Sequence, residues 1–526
     1  MFFQADRLEF STSSIIMSLR PKIQKTEALL PLALIVLTAL GCWLRFSQLS
    51  ALSLWIDEGF SLAAARGILE HGVPRLADGS LAWNYFPAHY LMALGTILFQ
   101  DLEFGARFFS ALAGTVLIPA YYLFVRRLTH CPWTALLAAG LLALLSYEVS
   151  WSRQARSYVL LQLLTILSLT AFLRFQDSPG RWSIMSALGL GGLAVLTHPA
   201  GYLAFLYMAL CLPLGIRSHR FLADWLRDQR IFFMILTVLL LLAAILVMLS
   251  GSNSGIAATI QRLGRDHAMN YSGLYLFFLQ AQFGYLLPWA AVGMVLTAVK
   301  LPRTIIPLII CMVAYFVLIS WYTMLFHFRY ALPLFLFIPL FVGYGIVAPM
   351  QWLLRVPSLA RKAGAVLLCV LFLAGLSTAR LDFTPQPHPD LGFTAPTAPW
   401  REACHWIRVD HAAGGGISHD LVTVSAFPMF HDFYLDGQGQ KYFLPHSLSG
   451  YPGHERDHDP HAGAETIHKA SRLAAMQRGY VFLDDFGLRM IKNKGIRTLL
   501  ERTPPVFVAR GPWGFDVFVW RLPLSS

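Results

Sequence analysis

The sequence predicts a polytopic α-helical membrane protein of about eleven transmembrane helices, with a small C-terminal α/β domain outside the bilayer. Three observations carry this expectation. Apolar residues make up 56% of the 526 positions and charged residues only 13%, against roughly 25% charged in ordinary soluble domains. Apolar runs long enough for spanning helices recur between residues 28 and 378. After residue 379 they stop, and short helix-like and strand-like stretches alternate.

Residues 1–26 are polar and mixed, with Arg20, Lys22 and Lys25 ahead of the first apolar run. No small-residue cleavage site follows that run, so it reads as an uncleaved signal anchor behind a cytoplasmic segment, with Met17 as an alternative start. A membrane domain over 27–378 then contains runs near 28–46, 106–125, 133–148, 158–173, 183–197, 200–216, 231–250, 274–299, 304–325, 331–349 and 364–378. Thr197-His198-Pro199-Ala200-Gly201 divides the fifth run from the sixth, because Pro and Gly punctuate helices.

The formal charge of +12 is spread over short loops, not gathered into a nucleic-acid-binding block. Arg126/Arg127, Arg174/Arg181, Arg217/Arg220/Arg227/Arg230, Lys300/Arg303 and Arg355/Arg361/Lys362 occupy alternate loops, which the positive-inside rule places in the cytoplasm. The loops 47–105, 149–157, 197–201, 251–273 and 326–330, and everything after 379, then face outward. Residues 84–99 are apolar enough to span. A span there would put every later basic loop outside, so they are expected to lie in the outer interface. Residues 58–71 are expected to form a second interfacial helix, with Phe60 and Leu62 toward lipid. The first outer loop, 47–105, is then a two-helix platform.

The exported domain, 379–526, is expected to hold helices at 400–409 and 486–502 and strands at 420–425, 479–484, 506–509 and 515–521. This is the alternation of a small α/β unit. His446, His454, His458, His461 and His468 match no standard ligand spacing and read as part of a polar loop. Five of the six cysteines lie in or near spans, and only Cys404 is exported, so a disulfide framework is not expected.

The candidate site gathers on the outer side. Asp57 and Glu58 follow the first span, where unpaired carboxylates are costly and point to function. Asp57 also reads as the N-cap of the helix after it, which keeps it ionised and suits it to bind a metal or orient a hydroxyl. A neighbouring Glu58 would raise one pKa of the pair toward that of a base. Arg153, Arg156 and Tyr158, at the end of the third span, and Arg329 after the ninth are arginines and an aromatic on the side the rule depletes. Guanidinium forks fit phosphate oxygens; snorkelling to headgroups is the alternative. His89, His198 and His327 are further candidates for the site lining, as are Arg262 and Arg265 in the 251–273 loop. A divalent cation (Mg or Mn) on Asp57 and Glu58 stays open. No Gly-rich phosphate loop with Lys, HExxH pair or GxSxG elbow is present. The span interiors carry almost no charge, which argues against a proton relay or ion-coupled transport.

These motifs resemble those of the GT-C glycosyltransferases, the polyprenyl-phosphate-sugar-dependent enzymes related to protein O-mannosyltransferases and the lipid A aminoarabinose transferase (glycosyltransferase family 39-like). The resemblance runs through Asp57-Glu58, Pro87-Ala88-His89-Tyr90, Ala106-Arg107-Phe108-Phe109-Ser110-Ala111-Leu112-Ala113-Gly114, Gln154-Ala155-Arg156-Ser157-Tyr158, Thr197-His198-Pro199-Ala200-Gly201, Arg329-Tyr330-Ala331-Leu332-Pro333 and Trp400-Arg401-Glu402-Ala403. It implies a GT-C-like membrane domain and inverting hexosyl or pentosyl transfer. The donor would be a polyprenyl-phosphate-linked sugar and the acceptor a lipid or glycan hydroxyl. No nucleotide is used, and the reaction lies on the outer face of the cytoplasmic (inner) membrane. Asp57 would orient or deprotonate the acceptor with help from Glu58, and the arginines would hold the phosphate. Relatives often show Pro-Pro where this chain has Pro87-Ala88, and the aminoarabinose transferase type has a Lys before that pair. Here the position is aromatic, Asn84-Tyr85-Phe86, which shifts phosphate binding to Arg153, Arg156 or Arg329. A lipid-linked sugar flippase and a non-catalytic glycan-binding scaffold are the rival classes.

Overall fold

The computed structural model describes residues 29–82, 85–215, 270–321, 327–355, 358–384, 398–447, 455–456, 463–511 and 514–524. The expected span 231–250, Arg262 and Arg265, and His454, His458 and His461 lie outside them.

The first helices are α1 (Leu30–Phe46), α2 (Ile56–His71), α3 (Phe86–Leu98) and α4 (Leu102–Thr129). Next come α5 (Pro132–Leu144), α6 (Ser146–Ser152), α7 (Tyr158–Asp177), α8 (Arg181–Thr197) and α9 (Tyr202–Gly215). The set closes with α10 (Ser272–Phe283), α11 (Leu286–Lys300), α12 (Pro302–Trp321), α13 (Leu332–Phe335), α14 (Ile338–Leu354) and α15 (Leu359–Leu376). Four of these, α4, α7, α12 and α15, are long and apolar enough to cross a bilayer, and up to six spans result if each bent helix pair counts as one. Five shorter apolar helices accompany them.

Two expected spans are bent. The run 274–299 breaks into α10 and α11, which meet at 102°. Gly284 makes the turn at φ +51°, and a Cβ there would lie 2.4 Å from Thr378 Oγ1. Only glycine fits that conformation at that approach. The chain from Phe328 to Leu354 bends by 41° between α13 and α14. The third run also divides, at Leu145, which pairs with Leu381 in an isolated β-bridge.

The C-terminal part begins with α16 (Trp400–Ala413), β1 (Val422–Ser425), α17 (Met429–Tyr434), β2 (Gln440–Phe443), β3 (His446–Ser447), β4 (Glu455–Arg456) and β5 (Glu465–Thr466). It continues through α18 (Ala470–Ala474), β6 (Gly479–Asp484), α19 (Asp485–Met490), α20 (Lys494–Arg502), β7 (Phe507–Ala509) and β8 (Val517–Leu522). Six strands form one sheet in the order β5-β2-β1-β6-β8-β7. β1 is parallel to β2 and β6, and β8 is antiparallel to β6 and β7. The single helix expected over 486–502 is two, because Asn493 caps a new start by accepting from the Ile496 amide.

This sheet unit shares a core with the platform. Leu54, Ile56, Leu62 and Ile68 are buried in one cluster with Trp400, Phe427, Phe430 and Val481. Phe60 packs edge-on to Phe427 at 6.4 Å. The expectation that Phe60 and Leu62 face lipid is therefore corrected. α2 is covered by the C-terminal part, which buries Leu62 and partly buries Phe60 in protein.

Candidate functional site

The site is assembled from ends of elements. Asp57 is the second residue of α2. Arg156 lies in the loop between α6 and α7, and Arg329 lies in a 3-10 turn, Phe328–Ala331, that precedes α13. Arg329 Nη1 donates to Asp57 Oδ2 at 2.6 Å. Arg156 Nη2 lies 3.6 Å from the same oxygen, while its Nη1 donates to the Asp57 carbonyl at 2.8 Å and to Ser61 Oγ at 2.6 Å. The Asp57 side chain keeps 22% of its surface exposed, against 11% and 12% for the two arginines. Burial pushes its carboxyl up. Arg329 and Arg156 more than offset that and hold it below the ordinary carboxylate value. The Nε atoms of both arginines are buried without a hydrogen-bond partner among the described residues. Such donors are unfavourable unless something binds them.

Aromatic rings surround this cluster. Arg329 stands over Trp55 at 5.7 Å and over Tyr330 at 5.8 Å. Arg156 stands over Tyr85 at 5.8 Å, within cation–π range. Tyr85 stacks on His198 at 5.5 Å, and Tyr158 lies 5.1 Å from the same imidazole. His198 Nδ1 accepts from the Ala200 amide at 3.1 Å, so Nε2 carries the proton of the neutral ring. Burial, then Arg156 and Arg329, push the His198 pKa down to about 3. His89 is likewise neutral, pushed to about 3 by burial and Arg156, and stands edge-on to Tyr85 at 6.5 Å. His327 lies beside Tyr330 at 5.4 Å, and burial with Arg329 lowers it to about 4.

Two expected participants are engaged elsewhere. Glu58 is fully buried. Arg107 holds it bidentately, Nε to Oε1 at 2.9 Å and Nη2 to Oε2 at 2.7 Å. The Ala155 amide donates to Oε1 at 2.6 Å and the Trp55 amide to Oε2 at 3.2 Å. Both oxygens are thus taken by donors, and Glu58 braces the loop that carries Arg156 against α2 and α4. Arg153 donates to the carbonyls of Leu44, Ser47 and Gln48 at 2.7, 2.6 and 3.0 Å. It closes the C-terminal end of α1, whose last carbonyls have no helical partner. Its guanidinium is spent on backbone, not turned to a phosphate.

The acidic pair does not fit a shared cation. Glu58 presents no uncommitted oxygen face, and the nearest charges to Asp57 are guanidinium groups. Among the described residues no group of three or more His, Cys, Asp or Glu is placed to hold a metal ion.

Two apolar spaces lie near the cluster along the chain, one that Arg156 itself lines with Ala88, Leu91 and Phe109, and a second, narrow one deeper among the helices. Leu161 and Thr165 line the second from α7, Leu203 and Tyr207 from α9, Leu308 from α12 and Pro333 from α13. Its wall begins one turn from Tyr158, two residues from His198 and four from Arg329.

Sequence reasoning passed over Tyr85, Trp55 and Arg107. Tyr85 had a signal, an aromatic residue where relatives carry Lys. It stands at φ +65° as the N-cap of α3, a conformation uncommon for a non-glycine residue.

The chain matches, over residues 86–249, the model of a family described as dolichyl-phosphate-mannose-protein mannosyltransferase. It is similar to an uncharacterized protein of Aquifex aeolicus (strain VF5), 30% identical over 193 residues, which takes in 35% of this chain and 39% of that protein. The match therefore spans less than half the length of that relative. Among solved structures, ArnT from Cupriavidus metallidurans in the apo state aligns with a TM-score of 0.58 at 15% identity, over 92% of this chain and 97% of that one. ArnT bound to undecaprenyl phosphate aligns at 0.54 and 17% identity over the same shares. The oligosaccharyltransferase AglB from Archaeoglobus fulgidus, in complex with an inhibitory peptide and a dolichol-phosphate, aligns at 0.55 and 14% identity, over 93% and 74%. At these identities the likeness is one of architecture. The chain carries the polytopic membrane fold of the GT-C polyprenyl-phosphate-dependent glycosyltransferases.

Proposed function

We propose that the protein transfers a sugar from a polyprenyl-phosphate donor to a hydroxyl of a glycolipid or envelope glycan, on the outer face of the cytoplasmic membrane. The membrane part, 27–378, holds the site, and the exported part, 379–526, covers it. One observation carries this reading. Two arginines converge on one carboxylate, each with a buried Nε donor that has no partner among the described residues, and apolar spaces lie close by along the chain. A phosphate between them would take those donors, and an isoprenoid would run into the space lined by α7, α9 and α13. ArnT and AglB, which share the fold, have been solved with undecaprenyl phosphate and dolichol-phosphate.

In this reading the acceptor oxygen attacks the anomeric carbon, and the bond from that carbon to the phosphate oxygen breaks. The acceptor proton passes to Asp57. Arg329 and Arg156 hold the charge that grows on the leaving phosphate, where preplaced cations lower the barrier most. Attack from the side opposite the phosphate inverts the anomeric centre. The donor phosphate competes with Asp57 for the same guanidinium groups, so donor binding frees the carboxylate and raises its basicity. His198, neutral with Nε2–H available, adds a donor at the edge of the phosphate. The A. fulgidus oligosaccharyltransferase has been solved with Zn and sulfate; with Glu58 committed to Arg107, no step here runs through a cation.

The test is binding of undecaprenyl phosphate to the purified protein in nanodiscs. Saturable binding is expected, weakened about 10- to 100-fold by Arg156→Ala or Arg329→Ala, as befits one lost charge-assisted contact. Equal binding by all three proteins would contradict the reading.

A further inference from the structure

The segment that carries Asp57 is held from two sides. From the membrane side, Arg107 donates to the carbonyls of Leu49, Leu52 and Ser53 at 3.0, 2.8 and 3.0 Å, besides pairing with Glu58. From the C-terminal side Ser53 Oγ donates to Glu402 Oε2 and accepts from the Arg401 amide, each at 3.2 Å, and a second hold is the polar node on Tyr434. Tyr434, at the end of α17, is 8% exposed. Its hydroxyl accepts from the Leu54 amide at 2.9 Å and donates to Glu103 Oε1 at 3.1 Å. Glu103, 4% exposed, accepts on the same oxygen from Arg401 Nη1 at 3.1 Å. Arg401 also reaches the Ser50 and Ala51 carbonyls at 3.1 and 3.3 Å.

Leu54 is fully buried and stands three residues before Asp57, at the entry to α2. Around that polar node the packing is close. A Cβ on Gly59 would lie 3.0 Å from Met429 Cε and 3.4 Å from the Phe430 ring. The Tyr434 ring stacks on Phe430 at 6.1 Å and 15°. The first turn of α2 is thus set in place by α17, an element more than 370 residues away along the chain.

We infer that the C-terminal domain is a working part of the site, with Tyr434 as the positioning residue that fixes Asp57 against the arginine pair through the Leu54 amide. The inference rests on the reading that Asp57 is the working carboxylate. The Tyr434 hydroxyl ties the Leu54 amide, the last residue but one before α2, to the covering domain and, through Glu103, to α4, while Arg401 and Glu402 hold the residues just upstream. Without it the buried Leu54 N–H loses its acceptor and the start of α2 is free to shift. A displacement of about 1 Å at a reacting group costs about 100-fold in rate.

Tyr434→Phe tests this, because it removes the hydroxyl and keeps the stacked ring. Membranes of a strain lacking the gene hold unconverted donor and acceptor. The assay is the rate at which purified protein restores the envelope species missing from them, read by mass spectrometry. Asp57→Asn and Tyr480→Phe are measured beside it. The Tyr480 hydroxyl donates to Asp410 at 2.7 Å, a bond within the C-terminal part. The expected result is a rate about 10- to 100-fold lower for Tyr434→Phe, an affinity for undecaprenyl phosphate within about 2-fold of the wild type, and an unchanged rate for Tyr480→Phe. The acidic limb of the rate profile should also move up, because Arg329, Arg156 and His327 face Asp57 and a loosened α2 weakens its pairing with the two arginines. A wild-type rate and profile in Tyr434→Phe, with Asp57→Asn inactive, would overturn the inference alone. Equal losses in Tyr434→Phe and Tyr480→Phe would overturn it as well, by reducing the effect to stability. An active Asp57→Asn would remove the reading beneath it.

Discussion

Arg329 Nη1 lies 2.6 Å from Asp57 Oδ2, across 272 residues of sequence. The pair joins the start of α2 to the turn before α13, and Arg156 joins both to the loop between α6 and α7. Three segments far apart in sequence therefore meet at one carboxylate oxygen. In the proposed reaction a resting ion pair of this kind stabilises the site and masks the carboxylate until an anion competes for the cations.

That competition sets a pH dependence. In the free protein Asp57 titrates below the ordinary carboxylate range, because the two arginines outweigh the effect of burial. Its ionised form is lost only as pH falls through that depressed value. When donor phosphate draws the arginines away, the carboxyl pKa rises. The acidic limb of kcat, which reports the complex, should then lie at higher pH than that of kcat/KM, which reports the free enzyme. Profiles measured on the reconstituted membrane assay should separate the two, and coincident limbs would argue against the exchange.

Glu58 should behave as a brace. Glu58→Ala leaves Arg107, 4% exposed, without its carboxylate. Removing one partner of a buried pair costs about 3–5 kcal/mol, so the thermal midpoint in detergent should fall steeply and activity should follow the folded fraction. A Glu58→Ala protein that is as stable as the wild type and inactive would return Glu58 to the chemistry.

Much of this site was legible because Asp57, Arg156 and Arg329 each follow an apolar run, where a charge stands out. Which of two adjacent carboxylates turns inward was not legible. Arg107, the partner of Glu58, lies inside a run read as a span, 49 residues away. The ends of α1 explain Arg153 in the same way. An arginine that closes a helix terminus and one that awaits a phosphate look alike until the carbonyls are placed. The break at Gly284 was hidden by the uniform hydrophobicity of 274–299, and the cover over α2 was hidden because Phe60 and Leu62 suit lipid and protein equally. Strand β6 lies at 479–484, as the local pattern indicated. β2 and β5 are short edge-side strands with little pattern of their own.

Arg153 and Arg156 should separate cleanly. Arg153→Ala loses three carbonyl contacts at the end of α1 and should lower the thermal midpoint, leaving the affinity for undecaprenyl phosphate within about 2-fold. If Arg153→Ala weakens that binding as much as Arg156→Ala does, the division between cap and clamp is wrong.

The apolar space should report chain length. Leu203→Trp fills part of the volume between α7, α9 and α12. Overpacking costs about 1–3 kcal/mol, so affinity for undecaprenyl phosphate should fall about 10-fold or more. Affinity for a short-chain prenyl phosphate such as geranyl phosphate should hold. Equal losses for both lipids, or none, would place the isoprenoid elsewhere.

The central claim is that Asp57 drives sugar transfer in the envelope. Its most direct measurement is comparative mass spectrometry of envelope glycolipids and glycans from cells with the wild-type gene, with Asp57→Asn, and without the gene. The prediction is that one sugar-bearing species disappears in the absence of the gene and is equally absent with Asp57→Asn, although that variant reaches the membrane at wild-type levels. The same species at wild-type abundance in the Asp57→Asn cells, or no species lost on deletion, would contradict it.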